Sequence, residues 1–495
     1  TSDVHGGIEA RSAKWFIENP LRQIGGQAAL GALVAKDAAP KILLDSGDIF
    51  QGTPIGNLTK GTAVIAGMNA LSYTAMTIGN HEYDFGEMNL ERLSAVATFP
   101  FLGANIRRKE TGERPAYAKG GLIVEVGGVK VGIVGVATRH TPTSTMPQNV
   151  ERLLFENEVE AVKREANRLR RNGAEFVIAL SHCGLAPSQA RKRIEADDLK
   201  LTDVDERYGG DLLLARDAPV DLVLGGHLHT GLSGTWRDPV SGKVIVQSYE
   251  SLEAGSRVTI TIPEVGEAEI ESELVDLWVE DIGQDARVGE VIKEYAERIG
   301  PELDAVVGEL SGDMRRADGG LDSVLGNAVA DAMRRAIPDA EVAVQNSFGL
   351  RADLYGGKVT VRDVYRVLPF ENTLTVVEIK GALLQGLVED SLRDGRARLQ
   401  FSGLAATATF DTKGALLSVS VGIGKAALDP ERLYRVVTNN YLTSGGGGGE
   451  RFAGLAVEDT GRSLRDVFSD DIRTRSPVTP PGTGRLLILR MEDEE

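Results

Sequence analysis

Six histidines occur in this chain of 495 residues, all before residue 230, and five of them lie in or between short polar motifs. The motifs are Asp3-Val4-His5, Gly47-Asp48, Gly79-Asn80-His81-Glu82 and Gly226-His227-Leu228-His229, with His182 between the last two. Imidazole, carboxylate and amide oxygen are what Zn, Mn or similar divalent ions accept when no thiolate is offered, and Cys183 is the single cysteine. Asp3, His5, Asp48, Asn80, His182, His227 and His229 give seven side chains, the right number for two ions if one carboxylate bridges, and Asp48 is the natural bridge. Two ions about 3.5–4 Å apart clamp the attacking and leaving oxygens of an in-line displacement at phosphorus, so the pattern predicts hydrolysis of a phosphate ester by metal-bound hydroxide. His81 follows a ligand directly and reads as an acid or charge stabiliser, with Asp84 three residues on to keep it protonated.

Such residues need sheet edges to hold them. Apolar runs lead into the motifs: Lys41 to Leu44 into Asp45-Ser46-Gly47-Asp48, Phe176 to Leu180 into Ser181-His182, and Val220 to Leu224 into Gly225-Gly226-His227. Alternation of these runs with helical stretches such as Val159 to Arg171 predicts helix-covered sheets whose ligands collect where strands end. Asp3 and His5 also want a preceding strand, so a segment upstream of Thr1 is expected, with any signal peptide in it. A helix is predicted from about Gln284 to Ile299, stopped by Gly300-Pro301, and the domain junction is placed there. The expected division is a catalytic domain over 1–283, a linker helix over 284–302 and a second domain over 303–495. The second part has no histidine, a helix near Asn327 to Arg335, strands near Glu341 to Val344, Thr373 to Ile379 and Arg435 to Val437, and a glycine run at 445–449 that reads first as a loose loop and second as a cradle of backbone N–H groups for an anion.

With 72 acidic against 55 basic residues, the formal charge of −17 argues against a nucleic-acid polymer as partner, which is held by clustered Lys and Arg. A small anion drawn to local metal charge is compatible with it. No apolar run is long enough to span a membrane, and one cysteine excludes an intrachain disulfide without choosing a compartment.

At these motifs the chain resembles the 5'-nucleotidase / UDP-sugar hydrolase / 2',3'-cyclic-nucleotide phosphodiesterase family, a branch of the calcineurin-like metallophosphoesterases. Asn346-Ser347-Phe348-Gly349-Leu350-Arg351 is similar to the family's Asn-Gly-Gly-Gly-Ile-Arg, and Asp363 to Thr373 is similar to Asp-Val-Tyr-x-Val-Leu-Pro-Phe-Gly-Asn-Thr. Thr438 to Gly448 resembles Thr-Asn-x-Phe-x-x-x-Gly-Gly-Asp-Gly. The resemblance implies a four-layer αββα metallophosphoesterase domain followed by an α/β 5'-nucleotidase domain, periplasmic or extracellular. It also implies that Asn346 and Arg351 contact a nucleotide whose base lies between Phe370 and Tyr441. The implied reaction removes phosphate from nucleoside 5'-monophosphates or related phosphoanhydrides. The alternatives are a 2',3'-cyclic-nucleotide 2'-phosphodiesterase with 3'-nucleotidase activity and a silent nucleotide-binding protein. Three positions depart from the pattern: Gly447 replaces a ribose-binding aspartate, Leu321 a ligand-binding arginine for which Arg315 or Arg316 is the substitute, and Glu371 a glycine beside the clamp.

Overall fold

The apolar runs that lead into the polar motifs become parallel strands. In the computed structural model, which describes residues 1–186, 193–201, 209–263, 266–316 and 322–491, Leu44–Asp45, Ala75–Thr77, Phe101–Leu102 and Ala118–Lys119 form one parallel sheet. Phe176–His182 is central to a six-stranded second sheet, parallel to both Val129–Ala137 and Leu222–Gly225. Alternate residues of a strand face opposite ways, so one apolar run serves two cores. Ile178 and Leu180 meet Leu44, Ala75 and Leu102 between the sheets. Val177 and Ala179 pack outward under the helices Glu158–Arg171 and Gly210–Asp217. On the other outer face, Met76 and Phe101 are covered by Gln27–Lys36, Thr62–Ala70 and Glu87–Val96. The result is the expected helix, sheet, sheet, helix order, with both sheets buried on both faces as parallel strands require.

The chain divides into two units, Thr1–Ile299 and Gly300–Glu495. The second is built on a five-stranded sheet in the order Leu399–Ser402, Val342–Asn346, Leu433–Asn439, Thr373–Lys380, Val457–Ser463. Val324–Ala336, Val361–Val367 and Leu464–Arg475 cover one face. Gly381–Leu392 and a four-stranded sheet that includes Leu404–Phe410 and Leu416–Ile423 cover the other. Leu321 and Glu492 to Glu495 lie outside the described residues.

Two local expectations need correction. The helix expected to stop at Gly300-Pro301 runs on as Ala286–Leu303. Proline clashes chiefly with the Cβ and N–H of the residue before it, and Gly300 has no Cβ; Asp304 N then closes the last turn on Gly300 O at 3.3 Å. The glycine run is not a loose loop. Gly445 N and Gly446 N donate to Leu442 O and Tyr441 O at 3.0 Å, and Gly449 N donates to Gly446 O at 2.9 Å.

Candidate functional site

Four of the metal-ligand candidates leave the carboxyl ends of parallel strands. Asp48 follows Leu44–Asp45, Asn80 follows Ala75–Thr77, His182 ends Phe176–His182, and His227 follows Leu222–Gly225. Asp3 and His5 are laid beside the first of these loops by Asp3 N to Gly47 O at 2.9 Å and His5 N to Asp48 O at 3.0 Å. Asp3, His5, Asp48, His227 and His229 all have left-handed backbone, with φ of 49°, 48°, 59°, 83° and 57°. That conformation costs a non-glycine residue of order 1–3 kcal/mol and persists where surrounding structure imposes it, typically at functional sites. Gly79 shows the crowding, since a Cβ there would stand 2.2 Å from Asp48 Oδ1.

The donors converge in two groups, Asp3 with His5 and His229, and Asp48 with His182 and His227. In the first, His5 Nε2 and His229 Nε2 are 2.9 Å apart and stand 4.0 and 3.6 Å from Asp3 Oδ1. In the second, His182 Nε2 is 2.9 Å from Asp48 Oδ2. Three of the four imidazoles are approached from behind. His5 Nδ1 lies 2.6 Å from Gln51 O, His182 Nδ1 2.6 Å from Ser46 O, and His229 Nδ1 2.5 Å from Glu250 Oε2. The two carbonyls hold the proton on Nδ1 of His5 and His182 and turn Nε2 inward, as a metal-binding histidine requires, while Glu250 stands as an ion-pair neighbour of His229. Asn80 donates Nδ2 to Ser144 O at 3.0 Å while its buried Oδ1 has no donor among the described residues, an orphan oxygen that a cation would satisfy. Nitrogen and oxygen donors, inward lone pairs and this orphan oxygen together fit divalent cations.

The charges fit as well. Burial opposes ionisation of Asp48, but His182 and His81 outweigh it and hold the carboxyl well below its ordinary range. Burial likewise disfavours charge on His182, yet Asp48, Asp3 and Glu82 raise it to about 10. Burial, with a contribution from Asp48, pushes Asp3 up to about 8. Burial and the neighbouring His182 charge keep His227 neutral, well below its ordinary value. Protons thus gather in this cluster where a cation's charge would belong.

His81 opens a 3₁₀ turn, His81–Tyr83, whose backbone puts Asp84 in reach. His81 Nδ1 is 2.7 Å from Asp84 Oδ2, Thr145 Oγ1 donates to Asp84 Oδ1 at 2.8 Å, and His81 Nε2 stands 4.0 Å from Asp48 Oδ2. Sequence reasoning gave no role to Glu82. Its buried carboxylate accepts from Asp48 N at 2.9 Å, Ile49 N at 2.8 Å and Gly79 N at 2.6 Å, tying two ligand loops together. Its place inside a ligand motif was the available signal. Glu250, three residues past the buried strand Val244–Gln247 and next to left-handed Tyr249 and Ser251, had only its position after a strand.

In the second unit, Asn346 ends Val342–Asn346 and Tyr441 follows its parallel neighbour Leu433–Asn439. Phe370 precedes the antiparallel strand Thr373–Lys380, whose first amide donates to Asn440 Oδ1 at 3.3 Å. All three therefore sit at one end of one sheet. Asn439 Nδ2 donates to Asn346 Oδ1 at 3.0 Å, and the Arg351 guanidinium stands 5.9 Å from the Phe370 ring centroid. The Tyr441 ring lies on the glycine run, where a Cβ at Gly446 would come within 2.3 Å of it and one at Gly447 within 2.8 Å. Neither suggested replacement arginine is idle, because Arg315 pairs with Asp313 at 2.8 Å and Arg316 bonds Asp353 and Arg351 O at 3.2 and 2.8 Å. Glu371 is paired with Arg465 at 2.9 Å. Cys183 and Trp236 are core residues.

A family model described as "Calcineurin-like phosphoesterase" matches residues 1–231, and one described as "5'-nucleotidase, C-terminal domain" matches residues 306–455. The chain belongs to the metallophosphoesterases that carry a C-terminal 5'-nucleotidase domain. A solved structure of a 5'-nucleotidase precursor from Thermus thermophilus is 28% identical, covers 100% of this chain and 99% of its own, and superposes with a TM-score of 0.86. Snake venom 5'-nucleotidase from Crotalus adamanteus is 28% identical over 98% of this chain and 87% of its own length. Endonuclease YhcR of Bacillus subtilis is 27% identical over 100% of this chain, which spans only 41% of that protein. These are hydrolase relatives, and the fold of this metallophosphoesterase is theirs.

Proposed function

We propose that this metallophosphoesterase is a di-metal phosphohydrolase that removes phosphate from nucleoside 5'-monophosphates or related phosphoanhydrides. The observation that carries the reading is the convergence of two imidazole–carboxylate groups on one set of strand ends, accompanied by an aromatic, amide and guanidinium cluster on the second unit's sheet edge. Asp3, His5 and His229 would hold one cation and Asn80, His182 and His227 the other, with Asp48 shared. Bound there, the cations supply Lewis-acid polarisation of the phosphoryl group and a water acidic enough to serve as nucleophile near neutral pH.

The chain's own groups do the rest. Asp84 pairs with His81 Nδ1 and favours the doubly protonated ring, whose Nε2–H would face the reacting group and stabilise developing negative charge or pass its proton to the leaving oxygen. Phe370 and Tyr441 stack a base at about 1–3 kcal/mol per face, tolerant of base identity. Arg351 offers a planar fork to phosphate oxygens, and Asn346 an amide. The net acidity of the chain weighs against a polymer substrate. We also read the enzyme as periplasmic or secreted, supported by its likeness to a venom enzyme.

The test is a panel of AMP, UMP, UDP-glucose, ATP, 2',3'-cyclic AMP and 3'-AMP assayed with Mn or Zn. Preference for a 5'-monophosphate or phosphoanhydride is expected. Preference for the cyclic and 3' substrates moves the assignment to the phosphodiesterase branch, and nucleotide binding without turnover of any of them identifies a binding protein.

A further inference from the structure

The segment that carries Phe370 is gripped by one buried arginine. Arg465 belongs to the first turn of the helix Leu464–Arg475, and its side chain is only 7% exposed. Its Nε donates to Leu368 O at 2.9 Å, and its Nη2 reaches Pro369 O at 3.3 Å, Phe370 O at 3.1 Å and Glu371 Oε1 at 2.9 Å. The guanidinium carbon stands over the Tyr365 ring, 3.6 Å from its centroid. Next to it, Leu464 N donates to Asn372 O at 2.9 Å, so the same helix turn holds both ends of the segment.

A buried guanidinium left without an anion is strongly unfavourable, and Glu371 supplies one. Glu371 is 58% exposed and stands where the family motif has glycine. Its carboxylate is turned to Arg465, so the departure from the motif does not leave an unpaired charge beside Phe370.

We propose that Arg465 is a positioning residue for nucleoside recognition, fixing the Leu368 to Glu371 backbone so that the Phe370 ring is presented, with Glu371 as its anionic anchor. This rests on the stacking of a base on Phe370 proposed above. A lysine in its place has one point of charge and no rigid fork, so it cannot span consecutive carbonyls and a carboxylate at once.

The test uses the full chain, metal-loaded, with AMP and with ribose 5-phosphate, which keeps the phosphate ester and lacks the base. Arg465→Gln should raise KM for AMP on the order of tenfold, the loss a displaced stacking face implies, with kcat nearly unchanged. Ribose 5-phosphate kinetics should match the parent's, and in a Phe370→Leu background Arg465→Gln should add nothing further. Proportional losses on both substrates, or effects that add across the two sites, would overturn the inference. If Arg465→Gln does not fold, Glu371→Gln, at an exposed carboxylate, should raise KM for AMP a few-fold and only when Phe370 is present; no change there also overturns it. Should Phe370→Leu alone leave KM for AMP unmoved, the stacking reading itself fails and this inference with it. A Phe370→Leu effect without an Arg465 effect sinks the inference alone.

Discussion

At the scale of single residues, the candidate centre is an arrangement of lone pairs. Backbone carbonyls of Gln51 and Ser46 fix the tautomers of His5 and His182, Glu250 pairs with His229, and the ring nitrogens converge with Asp3 and Asp48. Two predictions belong here. His81→Asn should lower kcat by roughly 10²–10⁴-fold, the range of a positioned acid or charge stabiliser, with metal content by elemental analysis unchanged. Loss of a cation in that variant would make His81 a ligand. The second concerns protons. In the ion-free chain Asp3 is raised to about 8 and His182 to about 10, so both hold protons at pH 7 that a cation must displace. Apparent affinity for Zn or Mn should therefore rise with pH from 6 to 8, and calorimetry in buffers of different ionisation enthalpy should register proton release. Buffer-independent heats would contradict the charge assignment.

At the scale of elements, a strand that ends in glycine and a polar residue is a recognisable object, which is why the candidate ligand loops stand out in the sequence. Phe176–His182 and Leu222–Gly225 are apolar to their last turn because both faces are buried, and their histidines stand out by type. The supports were not legible, since a carbonyl has no sequence signature and Glu82, Glu250 and Arg465 are common residue types whose partners lie far along the chain. Gly300 misled because glycine before proline removes the clash that normally stops a helix. The glycine run misled in the other direction, since its glycines make room for Tyr441 rather than slack. A prediction follows from that packing. Gly446→Ala puts a Cβ 2.3 Å from the Tyr441 ring, so the ring must shift, and KM for AMP should rise roughly tenfold, one stacking face's worth. Ribose 5-phosphate should be hydrolysed as before; an unchanged KM for AMP would show that Tyr441 takes no part in binding. The same crowding bears on Gly447→Asp, the family's residue, because φ of 58° tolerates Asp but the Cβ lies 2.8 Å from the ring. Restoring the carboxylate should therefore not by itself tighten ribonucleotide binding, and a lower KM for AMP would contradict this packing.

At the scale of the whole molecule, the proposed chemistry and the proposed recognition fall in different units. The first unit holds every histidine and both donor groups, and the second holds the aromatic and guanidinium cluster. Fold class and order of domains were legible because motifs of each unit survive in the sequence, and both family matches follow that division. No helix among the described residues is long and apolar enough to cross a membrane. The proposed reading makes this chain a two-cation nucleotide phosphohydrolase. The most direct test strips the protein with a chelator and titrates Mn or Zn back while phosphate release from AMP is followed. Activity should be absent in the stripped protein and should saturate at two cations per chain. Full activity at one cation, or AMP binding with no phosphate released at any loading, would contradict it.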